Sequence, residues 1–168
     1  MRILAFDPGY ERLGVAIVEK NKKEELLFSD CVRTNAKHEF AERLRQLGAA
    51  AEELITKWQP DAVALEEVFF EKNAKTAMQV AEVRGMLTYL AAKAGLPVHQ
   101  YTPAEVKVAV TGHGASDKRA VAAMVVRLVS VGAKKRLDDE VDAIAVGLTC
   151  LASVRQEALA DGRYPQRN

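Results

Sequence analysis

Ile3-Leu4-Ala5-Phe6-Asp7-Pro8-Gly9-Tyr10-Glu11-Arg12-Leu13-Gly14-Val15-Ala16-Ile17-Val18 decides how the rest of the chain is read. Residues 2–7 alternate poorly but are rich in β-formers, and the run from Leu13 to Val18 is likewise strand-like. Between them, Pro8-Gly9-Tyr10-Glu11-Arg12 is a turn signal. Two strands joined by so short a connection must be antiparallel. The first of them ends on an acid, Asp7.

Working outward, a third strand is predicted over Glu25–Arg33. Residues 39–58 show a helical period through Phe40, Leu44, Leu47, Ala51, Leu54, Ile55 and Trp58. Pro60 stops that helix, and Ala62–Leu65 makes a short buried strand running into Glu66. Asn73 can cap a helix to about Lys93, with Gly95 as its stop. Pro97–Gln100 reads as another strand, and Thr102-Pro103 opens a further helix. Gly112-His113-Gly114-Ala115 is a loop, after which Ser116 or Asp117 caps the next helix. A last helix runs from roughly Asp138 to Ser153. The order β-β-β-α-β-α-β-α-α-α predicts an α/β fold, a mixed five-stranded sheet with helices on its faces. That order is similar to the ribonuclease H-like fold. One domain is expected over residues 1–156, followed by a loose polar tail at 157–168.

Bulk properties fit this reading. A chain of 168 residues, 49% hydrophobic and 28% charged, can build one real core and has no low-complexity run. No apolar stretch matches a signal peptide or a membrane span, so a cytoplasmic protein is expected. Cys31 and Cys150 have no metal-ligand spacing and read as reduced, buried residues. The net charge of +1 conceals a strong asymmetry. From Lys72 to Arg136 there are eleven Lys or Arg against Glu82, Glu105 and Asp117, a balance of +8. Residues 1–71 sum to −4 and residues 137–168 to −3. Solvated helix faces explain such a pattern; so does a phosphate-binding surface beside an acidic metal site.

The acids stand at three places: Asp7, Glu66 followed by Glu67, and the run Asp138, Asp139, Glu140 and Asp142. Asp139 and Asp142 share a helix face at i, i+3, but Asp138 and Asp142 could share one at i, i+4. Each has an ordinary explanation. Asp7 can cap its own turn, Glu66 can be a surface acid, and the final run can favour a helix N-terminus. Converging carboxylates, however, raise one another's pKa and are hard to explain without a cation. With no His or Cys cluster, hard oxygen ligands select Mg²⁺ or Mn²⁺. Two such ions about 4 Å apart suit phosphodiester hydrolysis.

Three stretches resemble the motifs of the RuvC-type Holliday junction resolvases. They are Ile3 to Gly14 around Asp7; Ala64-Leu65-Glu66-Glu67-Val68-Phe69-Phe70-Glu71-Lys72-Asn73; and Asp139-Glu140-Val141-Asp142-Ala143-Ile144-Ala145-Val146. The resemblance spans roughly residues 1–156. It implies a homodimeric endonuclease that cuts four-way junction DNA with symmetric nicks in recombination and repair. It also implies a functional link to the RuvA–RuvB branch-migration complex. Asp7, Glu66, Asp139 and Asp142 become the metal-binding catalytic acids, with Asp139 rather than Asp138 in the third position. Phe69 matches the position that contacts unpaired bases, where stacking is worth about 1–3 kcal/mol, while Phe70 is assigned to packing. Lys107 and Lys118 match basic positions near the scissile phosphate, and Arg119 is adjacent to Lys118. The small residues Ala74, Ala77, Ala81, Gly85, Ala91 and Ala92 suit close packing against a twin.

Three other readings compete. A ribonuclease H-like nuclease acting on RNA is disfavoured by the second motif and the acid-rich last helix. An actin-like ATPase needs a second domain and a second phosphate loop. A catalytically dead DNA-binding module would not need four acids so placed.

Overall fold

The computed structural model describes residues 1–67, 74–129 and 136–160, with side chains from 76 in the second stretch and to 154 in the third. The expectations for Phe69, Phe70, the Asn73 cap and the tail beyond Ala160 therefore lie outside the described residues. Strands β1 (Arg2–Asp7), β2 (Arg12–Lys20) and β3 (Glu24–Arg33) form an antiparallel meander. Helix α1 (Phe40–Trp58) leads to β4 (Ala62–Glu66), parallel to β1, and α2 (Ala74–Lys93) leads to β5 (Val98–Tyr101), parallel to β4. Three helices follow: α3 (Pro103–Thr111), α4 (Lys118–Leu128) and α5 (Asp138–Ala160). The sheet order is β3-β2-β1-β4-β5, the mixed five-stranded sheet the sequence predicts.

Local chemistry sets the helix ends. Gln59 takes a left-handed conformation (φ 45°) and its N–H closes α1 on the Ile55 carbonyl, just before Pro60. Thr102 and Glu105 form a capping box on α3. Asp117, not Ser116, caps α4 by accepting the Ala120 N–H; the Ser116 hydroxyl is instead 2.7 Å from that of Thr111. Helix α5 continues two turns past the predicted end near Ser153. Its apolar period fades there, but Arg155-Gln156-Glu157-Ala158-Leu159-Ala160 holds only good helix formers, so the turn-by-turn propensity carries on. The predicted tail thus begins inside α5.

The weak alternation of β1 has a simple cause: both faces of the sheet are covered. Leu4, Phe6, Leu13, Val15, Ile17 and Leu65 fill one face under α1 and α2. The other face is built of small residues, Ala5, Ala16, Ala62 and Ala64, with Ile3 and Val18, and it receives α5. Helix α5 answers with Ala143 and Gly147, one turn apart on the same side. A Cβ on Gly147 would lie 2.7 Å from a Val18 methyl and 3.2 Å from Ala5 Cβ. Small residues on both surfaces sink the helix into the sheet. Cys150 is buried as expected, whereas Cys31 is only partly covered, at the edge strand β3.

Candidate active site

The period-two alternation of a strand sends Ile3, Ala5 and Asp7 to the α5 face. Ala62, Ala64 and Glu66 share that face on β4. Phe6 pairs with Leu65 in the parallel register, so Asp7 and Glu66 come next in line at the carboxyl ends of neighbouring strands. Asp7 also pairs with Gly14 of β2. There helix and strand meet backbone to backbone. A Cβ on Gly14 would lie 2.0 Å from the Asp139 carbonyl oxygen and 3.2 Å from Asp7 Cβ. The first turn of α5 rests directly on strand backbone, and this brings its acids to Asp7. Gly14→Ala is therefore expected to lower stability by about 1–3 kcal/mol and to impair any reaction at the site. An alanine tolerated in thermal melts at wild-type stability would show that α5 does not need this contact.

Asp139 has a side chain 16% exposed and Asp142 one 25% exposed. Asp138, by contrast, is exposed. The carboxylates acting most on Asp7 are Glu66, Asp142 and Asp139, opposed by Lys118. Of the two pairings that spacing leaves open, the fold turns the i, i+3 pair inward. Burial, followed by these three carboxylates, pushes the Asp7 pKa up to about 8. Burial and Asp142 raise Glu66 to about 6, although Lys118, a hydrogen bond from Asp7, and Lys107 all act the other way.

Two cations reach this cluster directly. Lys118, first residue of α4, donates from Nζ to Asp142 Oδ2 at 3.0 Å, and this contact with Asp142 raises its pKa. Arg12 Nε lies 3.4 Å from Asp139 Oδ2, and Cys31 Sγ is 3.9 Å from the same oxygen. Lys107 on α3 contributes through its field at Glu66. Arg119 is exposed and forms no ion pair among the described residues. Sequence reasoning assigns no role to Arg12 or Gly14. Both sit inside the decisive first stretch, but spacing within a turn does not reveal contacts with a helix more than a hundred residues away.

Beneath the acids, Glu140 is 3% exposed and accepts from Ser29 Oγ at 3.0 Å, while Arg136 Nε donates to Ser29 Oγ at 2.9 Å. This ties the start of α5 to β3. The basic middle of the chain is less concentrated than its charge balance suggests. Lys93 pairs with Glu52 at 3.0 Å between α1 and α2, and Arg84 is bonded to Gln100.

No three Asp, Glu, His or Cys side chains among the described residues are grouped closely enough to hold an ion in the arrangement seen. The donor set nevertheless fits a hard divalent cation. It is all oxygen, it is partly withdrawn from water, and its like charges are incompletely offset, which the raised Asp7 and Glu66 pKa values register.

A family model described as crossover junction endodeoxyribonuclease RuvC matches residues 3–150. The crossover junction endodeoxyribonuclease RuvC of Moorella thermoacetica is 44% identical over 154 residues, covering 91% of this chain and 92% of that protein. The Parafrankia sp. protein of the same description is 39% identical over 171 residues, covering 98% and 96%. Among solved structures, T. thermophilus RuvC in complex with Holliday junction substrate superposes with a TM-score of 0.88 at 33% identity, covering 94% of this chain and 96% of that one. The yeast mitochondrial Holliday junction resolvase Ydc2, at 15% identity and a TM-score of 0.68, shares the fold. The architecture is ribonuclease H-like.

Proposed function

The chain belongs to the RuvC family of crossover junction endodeoxyribonucleases, and from that premise we infer that it resolves Holliday junctions by metal-dependent phosphodiester hydrolysis in recombination and repair. The observation behind the chemistry is the gathering of Asp7, Glu66, Asp139 and Asp142 on one face at the carboxyl ends of β1 and β4. These four would hold Mg²⁺ or Mn²⁺, two ions per site. When bound, the ions supply an activated water and charge neutralisation at the leaving oxygen. The chain's own part is to fix the acids on backbone-packed elements and to place cations around them. Asp139 and Asp142, paired here with Arg12 and Lys118, would be the two of the four that give up a protein cation on holding metal. Lys118, at the edge of the same cluster, would then be available to the phosphate, where a cation acts most strongly on developing charge. Lys107 and Arg119 extend the basic rim, and Phe69 stacks on bases opened at the crossover.

A two-fold junction calls for two sites at fixed separation, and a C2 homodimer supplies them. The outer face of α2 supports this. Met78 and Tyr89 are 62% and 64% exposed. Between them, a Cβ added at Gly85 would meet nothing within 4 Å, which leaves room for a second helix. Coupling to RuvA–RuvB follows from the family. No helix among the described residues is long and apolar enough to cross a membrane; a cytoplasmic location is proposed from the family's action on DNA.

The test is cleavage of a mobile four-way junction with Mg²⁺ or Mn²⁺ and with EDTA, beside duplex, single-stranded and RNA–DNA hybrid controls. Paired symmetric nicks confined to the junction and dependent on metal are expected. Preferential cutting of the hybrid would replace this reading with an RNA-processing one.

A further inference from the structure

On the β3 side of the acids, a cleft of about 260 Å³ is walled by Glu11, Arg12, Arg33, Thr34, Ala36 and Arg43. Three of those six side chains are guanidiniums. Arg12 and Arg33 are direct partners in the β2–β3 register, where facing like charges are destabilising. Arg43, on α1, is only 6% exposed. It donates from Nε to Thr34 Oγ1 at 2.9 Å and from Nη2 to the Tyr10 carbonyl at 3.2 Å. The Tyr10 ring lies 4.8 Å from its Cζ. These contacts pin the β1–β2 turn to the end of β3 and hold the guanidinium in one orientation.

The charge in the cleft is not balanced. Its one carboxylate, Glu11, is 62% exposed and 3.9 Å from Arg43 Nη2. Arg33 forms no ion pair among the described residues. Arg12 approaches Asp139 through Nε, at 3.4 Å, and its terminal nitrogens make no hydrogen bond among the described residues. Arg43 Nη1 is free in the same sense. A rigid floor and two adjustable walls, all planar forks, match the oxygens of a phosphodiester better than a point charge would.

We propose that this cleft binds a backbone phosphate of the DNA strand next to the scissile one. The proposal rests on the junction-cutting function above and adds a second anchor to it. Through Arg12 the cleft adjoins Asp139, so a strand gripped here is held on the side of the acids opposite Lys118. Register along the backbone would then be fixed from two sides.

Arg33 is the residue to change, because it is exposed and outside the catalytic set. Binding of a synthetic four-way junction is titrated in EDTA across a range of salt for wild type, Arg33→Ala and Arg33→Lys, with thermal melts as a folding control. Arg33→Ala is expected to bind more weakly and to flatten the log–log salt slope by about 0.9 for each phosphate it no longer neutralises; Arg33→Lys should retain part of both. Junctions with single methylphosphonates near the cut give a second readout. One neutral position should weaken the wild type several-fold and leave Arg33→Ala unaffected. Wild-type binding with an unchanged slope in Arg33→Ala, or methylphosphonate penalties that persist in full in that variant, overturns the site alone. A wild type that does not bind the junction overturns the functional reading and the site with it.

Discussion

Asp7→Asn is expected to reduce junction cleavage by roughly 10³-fold or more while leaving junction affinity close to wild type. A metal's charge stabilisation of the transition state is worth several kcal/mol, and each 1.36 kcal/mol is about tenfold in rate. Affinity instead comes from phosphate contacts by Lys and Arg, none of which the substitution touches. Single-turnover cleavage at saturating enzyme, paired with anisotropy titration, separates the two. Cleavage within tenfold of wild type would remove Asp7 from the metal site. A collapse of the fold would show instead that its role is structural. The second outcome is opposed by the pKa: at neutral pH the metal-free protein keeps Asp7 largely protonated, with its value near 8, and asparagine is close in shape to that form.

The same displacement makes the metal-free protein sensitive to alkali. Asp7 rises from 3.8 to about 8 on folding, and Glu66 from 4.5 to about 6. Between each pair of values the folded chain holds a proton that the unfolded chain has lost. Stability therefore falls as pH rises, for Glu66 up to about 6 and for Asp7 up to about 8. In EDTA, denaturant melts at pH 5, 6.5 and 8 should show a loss on the order of a few kcal/mol, because a tenfold difference in proton affinity between the two states is worth about 1.4 kcal/mol. Added Mg²⁺ or Mn²⁺ should restore most of it at pH 8, because an ion that binds only the folded chain stabilises by mass action. Asp7→Asn should flatten the EDTA profile. A profile that climbs across this window, or one identical in wild type and variant, would mean that the carboxylates are compensated by other means.

Much of the site is legible in the residues, and the limits are physical. Asp7 and Glu66 are legible because each follows a short β-rich run and precedes a break, which fixes a strand end without further information. Their common face is not, because alternation is hidden when alanines line one side of a sheet and larger residues the other. Helical spacing narrows the final acids to two pairings, and only the docking of α5 on Gly14 selects Asp139 over Asp138. Arg12 and Gly14 escape a sequence reading because their importance lies in a contact with residue 139, a separation no local pattern encodes. The basic middle overstates the site's positive charge. Net charge over a segment cannot distinguish Lys118, aimed at Asp142, from Lys93, paired on the far side with Glu52.

The seat of α5 on strand backbone has a consequence for the protein's synthesis. Asp142 follows Asp7 by 135 residues, and the cluster has no meaning until the last helix settles onto the first two strands. At ribosomal speeds of about 5–20 residues per second, the early strands wait roughly 7 to 27 seconds for the partner that completes them. Through nearly all of its translation the nascent chain therefore carries only the first two acids of the cluster, Asp7 and Glu66. A chain released before residue 139 lacks two of the four acids proposed to hold metal, and is expected to show no cleavage of junction DNA.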